Sequence, residues 1–422
     1  MKVLVADNLS PAALSLLQAQ PDCELIVSDP KGFEAHLGEA EALLVRSAAK
    51  VTREVIAKAP RLRVVGRAGS GVDNIDLEAA TQAGVLVMNT PGGNSVSVAE
   101  HTLALMLALA RQIPQASLST RGGKWEKKKF LGTELRGKTL GIIGLGSIGR
   151  EVVRRARAFE MRVLACDPYV SRRWAEDLNI ELVDLNRLLA ESDYISLHVA
   201  LTAETRNMIS REQFARMKDG VRIINCARGG IIDEEALGEA LESGKVAGAG
   251  LDVFAKEPPE GSPLLALENL IATPHIGGNT QEACIHQGQI ILEEMKRLLS
   301  GERPCYALNP QILAAFRWDG ERQADRRALD QLRHTSTAGV TDIEVAQKSV
   351  SQPAEKRGSL LSGLKRLLGK ETPPEPTAPA PAAQQGAAGG GQAEHFQRLL
   401  SRFLQEIEKD DDIRAFARDK NV

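Results

Sequence analysis

The sequence predicts an α/β protein with two doubly wound parallel sheets, a cleft between them, and a partly disordered helical tail. Short β-branched runs alternate with helix-length segments in two successive series, which is typical of βαβ units. The chain has 422 residues, and a single core rarely grows beyond about 250 residues. Beyond about Asn309 this alternation gives way to charged and low-complexity sequence. These observations favour two folded units followed by an extension.

The predicted strands fall into a first series within residues 1–94 and a second series that begins near residue 139. The runs of the first series are KVLVAD, CELIVSD, ALLVRS, LRVVGRAG and GVLVMNT. Those of the second are TLGIIGLG, RVLACD, DYISLHV, VRIINC, AGLDV and LIATPH. Two longer patterns, Ser95 to Arg111 and Gln281 to Leu299, have helical periodicity. We interpret these two helices as the crossings between the units.

Composition excludes several classes of protein. The 53 Lys and Arg residues and 55 Asp and Glu residues give a net charge of -2, which provides no general attraction to nucleic acid or to anionic membranes. The five cysteines lack the paired spacing of disulfide frameworks or metal sites. The opening MKVLVAD lacks the apolar run of about 7–15 residues that a signal peptide needs. We therefore expect a cytoplasmic protein with reduced thiols, no metal, and no transmembrane span.

A glycine motif marks a nucleotide site. In TLGIIGLGSIGR, a strand is followed by Gly144-x-Gly146-x-x-Gly149 and by a helical run from Ile148 to Phe159. The glycines allow a tight turn and close approach of a pyrophosphate, and the helix N-terminus supplies N–H donors. This context predicts a dinucleotide-binding Rossmann unit rather than an ordinary tight turn.

The nature of the dinucleotide follows from the next strand. RVLAC ends at Asp167, about 20 residues beyond the motif, where an acidic residue receives a ribose hydroxyl. Because an aspartate repels a 2′-phosphate, NAD is favoured over NADP. Arg172 and Arg173 lie nearby in sequence and keep NADP open as the alternative.

Three further strands of the second series are followed by residues suited to catalysis. VRIINCARGG delivers Arg228, AGLDVFAKEPP delivers Glu257, and LIATPHIGG delivers His275. Ligands of parallel sheets bind outside the carboxyl ends of the strands, so the three side chains can converge there. A lone histidine or a Glu-Pro-Pro loop is usually structural, but the shared placement favours a catalytic trio.

These residue types fit the oxidation of a 2-hydroxy acid. His275 would take the hydroxyl proton, because the pKa of histidine lies near working pH. Glu257 would fix the tautomer and stabilise the imidazolium. Arg228 would hold the carboxylate through its planar fork of donors. Gly229 and Gly230 would give the backbone room to turn beside the nicotinamide.

Seven segments together resemble one protein family. They are GRAGSGVDNID, NTPGGNSVSVAEH, KWEKKKFLGTEL, GLGSIGR, NCARGGIIDE, LDVFAKEPP and TPHIGG. Their order and spacing over roughly residues 1–309 resemble the D-isomer-specific 2-hydroxyacid dehydrogenases. The resemblance implies a discontinuous substrate-binding domain, 1–94 with 279–308, around an NAD-binding Rossmann domain, 95–278. It also implies that Arg228, Glu257 and His275 are catalytic, with His275 as the acid/base.

The resemblance extends to the binding residues. The positions that it implies for the substrate are Arg46, Ser47, Lys50, Arg67, Gly69, Ser70, Gly71 and Asn94. Those that it implies for the cofactor are Ser70, Gly144, Gly146, Ser147, Ile148, Gly149, Asp167, Cys226, Ala227, Asp252 and Gly277. The resemblance also implies a homodimer or a higher homo-oligomer. Lys127 to Lys129 would then form an arm that reaches a neighbouring subunit's cleft, and a solvated loop is the alternative. Cys226 is not expected to act as a nucleophile.

The implied reaction is oxidation of 3-phospho-D-glycerate by NAD to 3-phosphohydroxypyruvate, the first step of L-serine biosynthesis. Arg46, Ser47, Lys50 and Arg67 are the candidates for the phosphate. The alternative is a relative that acts on glyoxylate, hydroxypyruvate or D-lactate. A rival of another class is a scaffold protein that binds NAD as a sensor, although an intact catalytic trio argues against it.

The C-terminal extension departs from the family pattern. No ACT-like βαββαβ pattern follows Asn309, so feedback by serine is not predicted. The sequence instead predicts a charged helical extension (309–371), a Pro/Ala/Gly-rich linker (372–393) and a terminal amphipathic helix (394–422). Residues 359–370 and 394–408 are candidates for docking to a membrane surface or a protein, and simple packing on the enzyme body is the alternative.

Overall fold

The computed structural model of the chain contains two parallel β-sheets. It describes residues 1–318 except 8, 10, 20–22, 172, 174, 176–178, 315 and 317. The first sheet has the order β2-β1-β3-β4-β5. Its strands are β1 (Lys2–Val5), β2 (Glu24–Val27), β3 (Ala42–Val45), β4 (Val64–Arg67) and β5 (Leu86–Met88). This is the flavodoxin-like order of doubly wound folds.

The second sheet has the order β12-β11-β10-β9-β6-β7-β8. Its strands are β6 (Thr139–Ile143), β7 (Arg162–Cys166), β8 (Glu181–Leu182), β9 (Tyr194–Leu197), β10 (Val221–Asn225), β11 (Val246–Leu251) and β12 (Leu270–Ala272). All of the neighbouring strands pair in parallel. The order is that of a Rossmann sheet with a seventh strand at one edge. The predicted α/β class with two parallel sheets is confirmed.

Helices connect successive strands and cover both sheets. Within the described residues they are α1 (Pro11–Gln18), α2 (Arg53–Lys58), α3 (Leu77–Gln82), α4 (Ser95–Arg111), α5 (Ile113–Arg121), α6 (Ser147–Ala158), α7 (Leu185–Glu191), α8 (Arg211–Arg216), α9 (Glu234–Glu242) and α10 (Gln281–Leu299). Short 3-10 turns occupy Phe33–His36, Pro263–Ala266 and Pro310–Ala314. Several helices begin at a side chain that accepts a backbone N–H, as Thr280 does for α10. Such caps satisfy donors that would otherwise lack a partner.

Four hydrophobic clusters pack on the faces of the two sheets. α4 contributes Leu103, Met106 and other apolar residues to a cluster that includes Leu140 and Ile142 of β6. It therefore packs on the second sheet, although it follows the last strand of the first. α10 instead places Ile291 and its neighbours against β1, β3, β4 and β5. We call the first sheet with α10 the first lobe, and the second sheet with α4 the second lobe.

The chain after α10 closes the edge of the first sheet. Ala307 forms an antiparallel bridge with Met88 of β5. Asn309 is fully buried, and its amide group donates to the Val85 carbonyl at 2.9 Å and accepts from the Val87 N–H at 2.9 Å. Ile312 and Trp318 continue the same packing. The described part of the extension thus contacts the first lobe up to residue 318.

Most of the predicted C-terminal extension lies outside the described residues. This holds for residues 319–371, for the predicted linker 372–393, and for the predicted terminal helix 394–422. Their predicted structure stays a prediction.

Replacing Asn309 by alanine should destabilise the first lobe. The change leaves the Val85 carbonyl and the Val87 N–H buried without partners, which should cost about 2 kcal/mol of unfolding free energy. Urea denaturation of Asn309→Ala would measure this loss. Asn186→Ala is the matched control, because Asn186 makes an exposed hydrogen bond with Arg216. Equal stability of the two variants would contradict the assigned role.

Candidate active site

Three neighbouring strands of the second sheet deliver the catalytic candidates to one edge. Arg228 follows β10, Glu257 follows β11 and His275 follows β12. These strands are adjacent and parallel, so their carboxyl ends meet at the same edge of the sheet. The structure places Glu257 and His275 in direct contact, and Arg228 close enough for its charge to act on His275.

His275 and Glu257 form a hydrogen-bonded pair. His275 Nδ1 lies 2.8 Å from Glu257 Oε2, and the two side chains are 46% and 39% exposed. The Phe254 N–H donates to Glu257 Oε1 at 3.1 Å and so fixes the carboxylate. Because Nδ1 is engaged, His275 Nε2 is the nitrogen that remains for a substrate. The pair has the arrangement of a general base with its orienting carboxylate.

The pair shifts both pKa values in the direction that such a base needs. The hydrogen bond with Glu257 raises the pKa of His275, and burial opposes that rise only in part. Burial works to raise the pKa of Glu257, but the hydrogen bond and the charge of His275 bring a net lowering. Glu257 therefore stays ionised while His275 exchanges its proton.

A buried carboxylate holds the loop that carries His275. Asp252 is 1% exposed. Its Oδ1 accepts from Thr273 Oγ1 at 2.6 Å and from the Ile276 N–H at 2.8 Å, and its Oδ2 accepts from the Gly277 N–H at 2.7 Å. Between these anchors the His275 backbone has a φ of 53°, a left-handed conformation that costs a non-glycine residue about 1–2 kcal/mol. Asp252 thus stabilises the conformation that presents the imidazole.

His101 and Thr273 complete this network, and neither was predicted from the sequence. His101 Nε2 lies 3.0 Å from Thr273 Oγ1 and 3.4 Å from Asp252 Oδ1. His101 belongs to α4, so the crossing helix contacts the loop that carries His275 directly. The available signal was a histidine within the apolar run of that helix. Both carboxylate oxygens of Asp252 accept hydrogen bonds from the protein. Its predicted contact with the cofactor stays a prediction.

Arg228 contacts the loop after β4 of the first lobe. Its Nε donates to Asp73 Oδ2 at 2.9 Å, and its Nη1 donates to the Ala227 carbonyl at 2.7 Å. A Cβ atom on Gly71 would overlap Arg228 Nη2. The absence of a side chain at Gly71 thus leaves room for the guanidinium beside this loop. The structure brings Arg228 together with the predicted substrate loop, Gly69 to Gly71.

The predicted phosphate residues lie on two adjoining loops of the first lobe. The buried Asp7 Oδ2 accepts the N–H groups of Arg46 (3.1 Å), Ala48 (2.9 Å) and Ala49 (3.2 Å). Arg46 is half-buried in that loop, whereas Ser47 and Lys50 are exposed. Arg67 Nε donates to Asn74 Oδ1 at 2.9 Å. The charges of Arg228 and Arg46 each help to lower the pKa of Arg67, so both guanidinium groups lie near that of Arg67.

Asn94 connects the first-lobe loop to the segment after β12. Ser70 Oγ donates to Asn94 Oδ1 at 3.1 Å. On the other side, a Cβ atom on Gly278 would lie 2.6 Å from Asn94 Nδ2. Asn94 also precedes α4, where the chain crosses between the lobes. Its predicted place beside the substrate is therefore at the junction of the lobes.

The glycine motif has the shape that a dinucleotide pyrophosphate requires. Gly144 has a φ of 95°, and a Cβ atom there would lie 2.7 Å from the His198 carbonyl oxygen. A Cβ atom on Gly149 would overlap the Gly144 carbonyl oxygen. In contrast, a Cβ atom on Gly146 would point into open space at the start of α6, which no side chain caps. The free N–H groups of Ser147, Ile148 and Gly149 there suit an anion.

The remaining predicted cofactor positions lie around this turn. Asp167 Oδ2 accepts the Leu145 N–H at 2.7 Å, and its Oδ1 accepts the Tyr169 N–H at 2.9 Å, so the acid sits beside the glycine loop. Cys226 is buried, and burial raises the pKa of its thiol to about 12. Its thiol is therefore protonated at neutral pH and is not a nucleophile.

Lys127, Lys128 and Lys129 are not brought to the site within one chain. All three are exposed, and Lys129 Nζ lies 5.8 Å from the Phe130 ring centroid. The structure records no contact between them and Arg228, Glu257 or His275. Over residues 1–318, where described, no group of three His, Cys, Asp or Glu side chains could hold a metal ion. The described helices are each too short or too polar to span a membrane.

Comparisons with known proteins show similarity to one family of dehydrogenases. Residues 103–277 match the NAD-binding domain of the D-isomer specific 2-hydroxyacid dehydrogenases. The D-3-phosphoglycerate dehydrogenase of Methanocaldococcus jannaschii is 51% identical over 304 residues, which cover 72% of this chain and 58% of that protein. The human enzyme of the same name is 47% identical over 319 residues, 74% and 59% of the two chains. This chain spans about three-fifths of the length of these relatives.

Solved structures are similar over the two lobes. The TT0316 protein of Thermus thermophilus is 37% identical with a TM-score of 0.67, and the match covers 73% of this chain and all (100%) of that one. A D-lactate dehydrogenase from Aquifex aeolicus, complexed with NAD and lactic acid, is 34% identical with a TM-score of 0.64 and covers 71% and 96% of the two chains. The NAD cofactor predicted from the glycine motif is confirmed.

Two substitutions in the glycine motif should affect different properties, one NADH binding and the other thermal stability. Gly146→Ala adds a methyl group in open space, so the melting temperature should hold while NADH binds about tenfold more weakly. Gly144→Ala should lower the melting temperature, because it combines a positive φ with a backbone clash. Thermal melts and NADH fluorescence titrations would measure both effects. Unchanged NADH binding by Gly146→Ala would contradict the assigned pyrophosphate position.

Proposed function

The chain belongs to the D-isomer specific 2-hydroxyacid dehydrogenase family, and on that premise we propose that it oxidises 3-phospho-D-glycerate to 3-phosphohydroxypyruvate with NAD. This is the first step of L-serine biosynthesis. The observation that carries the proposal is the His275–Glu257 pair, 2.8 Å apart, beside a group of arginines at the junction of the lobes. A related member acting on glyoxylate, hydroxypyruvate or D-lactate is the alternative.

The proposed mechanism assigns one step to each residue of the trio. Arg228 binds the substrate carboxylate and thereby sets the orientation of C2. His275 Nε2 accepts the proton of the C2 hydroxyl, and Glu257 stabilises the imidazolium that forms. Bound NAD supplies the acceptor for the hydride that leaves C2. In the reverse direction, His275 returns the proton to the ketone oxygen.

The phosphate would bind to the arginines of the first lobe. Arg67 lies near Arg228 and also near Arg46, so cationic groups of the first lobe lie a short distance from the carboxylate site. Three neighbouring cations suit a substrate that carries both a carboxylate and a phosphate. D-lactate and glyoxylate lack the second anion. This charge pattern therefore favours 3-phosphoglycerate over the smaller acids.

Asp167 supports NAD rather than NADP. It lies at the end of β7 beside the glycine loop, where its carboxylate would receive ribose hydroxyls and repel a 2′-phosphate. Of the two arginines that keep NADP open, Arg172 lies outside the described residues. The predicted roles of Ser70, Ala227 and Gly277 in holding the cofactor form part of the same proposal.

We further propose that the enzyme is a homodimer or a higher homo-oligomer. The segment from α5 to the start of β6 exposes four apolar side chains: Ile113 (52%), Leu118 (70%), Trp125 (84%) and Leu131 (87%). Exposed apolar groups this close in sequence favour an interface between subunits. Lys127 to Lys129 lie within the same segment and would then reach the partner's cleft.

Domain limits and location complete the proposal. The substrate-binding domain would comprise 1–94 with 279–308, and the NAD-binding domain would comprise 95–278. The five cysteines form no disulfide in the described part of the chain, which supports a cytoplasmic location. Docking through 359–370 and 394–408 stays a prediction, because those segments lie outside the described residues.

The substrate assignment predicts a strong preference for phosphate. The wild-type kcat/KM should be at least about 10²-fold higher for 3-phosphoglycerate than for D-glycerate or D-lactate. Arg67→Met should reduce that preference, because it removes one phosphate ligand and leaves the carboxylate site in place. Steady-state assays of NADH formation would measure each value. Comparable wild-type efficiencies on the three acids would rule out the assignment.

Glu257→Gln should shift the pH dependence of catalysis. Oxidation needs neutral His275, so the wild-type rate is lost as pH falls through the pKa of His275, which Glu257 raises. The variant should therefore retain oxidation to lower pH, at a reduced maximal rate. Reduction needs protonated His275, and the variant should lose it at lower pH than the wild type.

Profiles of kcat/KM against pH in both directions would show these shifts. Glu239→Gln is the matched control, since it removes a carboxylate that pairs with Arg211 on the surface of the second lobe. An acidic limb of Glu257→Gln that coincides with the wild-type limb would disprove the proposed role of the carboxylate.

A further inference from the structure

An ion pair between the lobes reaches the substrate arginine. Asp73 belongs to the loop between β4 and α3 of the first lobe, and Arg228 follows β10 of the second lobe. Arg228 Nε donates to Asp73 Oδ2 at 2.9 Å. Asp73 is 63% exposed and Arg228 is 29% exposed. No role for Asp73 follows from the reaction itself, because neither proton transfer nor substrate charge requires it.

The bond with Asp73 occupies only part of the donor capacity of Arg228. A guanidinium has five N–H groups. Asp73 takes the one on Nε, and the Ala227 carbonyl takes one of the two on Nη1. The three that remain are on Nη1 and Nη2, and Nη2 lies against Gly71 in the predicted carboxylate loop. The two bonds thus fix the plane of the guanidinium and leave its outer end for a bidentate ligand.

The next residue does the same for a second arginine. Asn74 Oδ1 accepts from Arg67 Nε at 2.9 Å. Asn74 Nδ2 donates to the carbonyls of Arg46 at 2.8 Å and Ala49 at 2.6 Å, so the side chain is fixed at both ends. Two adjacent residues therefore hold the Nε atoms of two arginines that come from different lobes. Their spacing along the backbone sets the spacing of the two cations.

The charges explain why the first of these residues is an acid. Burial and, to a smaller extent, repulsion from Arg228 lower the pKa of Arg67 to about 10, whereas the Asp73 carboxylate acts in the opposite direction. A neutral residue at 73 would leave two guanidinium groups without the anion that offsets their repulsion. Arg228 would then turn away from Arg67 toward solvent.

We propose that Asp73 is a positioning residue that orients Arg228 for the substrate carboxylate across the junction of the lobes. This inference rests on the proposed function, because it takes Arg228 as the carboxylate ligand. On this proposal both lobes form the carboxylate site. The second lobe supplies the guanidinium of Arg228, and the first lobe supplies the Asp73 carboxylate that orients it. Asp73 does not touch the substrate and does not exchange protons with it.

Asp73→Asn tests this role without changing the size of the side chain. The amide still accepts one hydrogen bond, but it carries no charge. The KM for 3-phosphoglycerate should rise about three- to tenfold, which is the effect of losing one partly exposed charge contact. The kcat should change less than about twofold, because His275 and Glu257 are untouched. The KM for D-glycerate should rise by a similar factor, since both acids carry the same carboxylate.

Two controls separate positioning from general damage. Asp219→Asn removes an exposed ion pair with Lys245, 2.7 Å long, and should leave both constants unchanged. Asp73→Glu retains the charge and should recover part of the loss. The dissociation constant for NADH should be the same in all of the variants, because Asp73 contacts the substrate side only.

Each outcome decides the inference. A KM in Asp73→Asn equal to that of the wild type would overturn it. A lower KM would also overturn it, because Asp73 would then be a competitor of the substrate carboxylate and not its aid. If the wild type oxidises a different 2-hydroxy acid, the substrate assignment fails, and the same comparison is made with that acid. A wild type inactive on every 2-hydroxy acid would refute both proposals.

Discussion

The carboxylate of Asp252 is the group on which the candidate site depends most. It is buried at the end of β11 and accepts hydrogen bonds from Thr273, Ile276 and Gly277. Those bonds enclose His275, whose backbone holds a left-handed conformation that would relax without them. The same carboxylate lies 3.4 Å from His101 on the crossing helix. The position of His275, the proposed base, therefore depends on contacts with the helix that joins the lobes.

The two lobes contribute different residues to the candidate site. The second lobe supplies the nucleotide turn and the trio, because the carboxyl ends of its parallel strands meet at one edge. The first lobe supplies the loops of Arg46 and Arg67 and the Asp73 carboxylate that contacts Arg228. On the proposed assignment, neither lobe alone contains a complete substrate site. Closure of the lobes would therefore assemble the site and exclude water in the same movement.

Local pattern predicted much of the fold but little of the support around the site. The limits of α4 and α10 follow from hydrophobic periodicity, and the glycine motif follows from its strand and helix context. The order of the strands within each sheet was not predicted, since pairing joins residues far apart in sequence. The partners Asp73 and Arg228 are separated by 155 positions, which no local pattern can connect. The role of His101 likewise could not be predicted from its own helix, because its partner Thr273 is far away in sequence.

The central claim is that a hydride leaves C2 of a phosphorylated 2-hydroxy acid while His275 takes the proton. Deuterium at C2 of 3-phospho-D-glycerate tests it most directly, with mass spectrometry of the NADH that forms. We expect NADH that carries the deuterium, and a rate that His275→Ala lowers by about 10²–10⁴-fold without loss of bound NAD. NADH without deuterium would contradict the account. Bound NAD with no turnover in the wild type would favour a protein that only senses the dinucleotide.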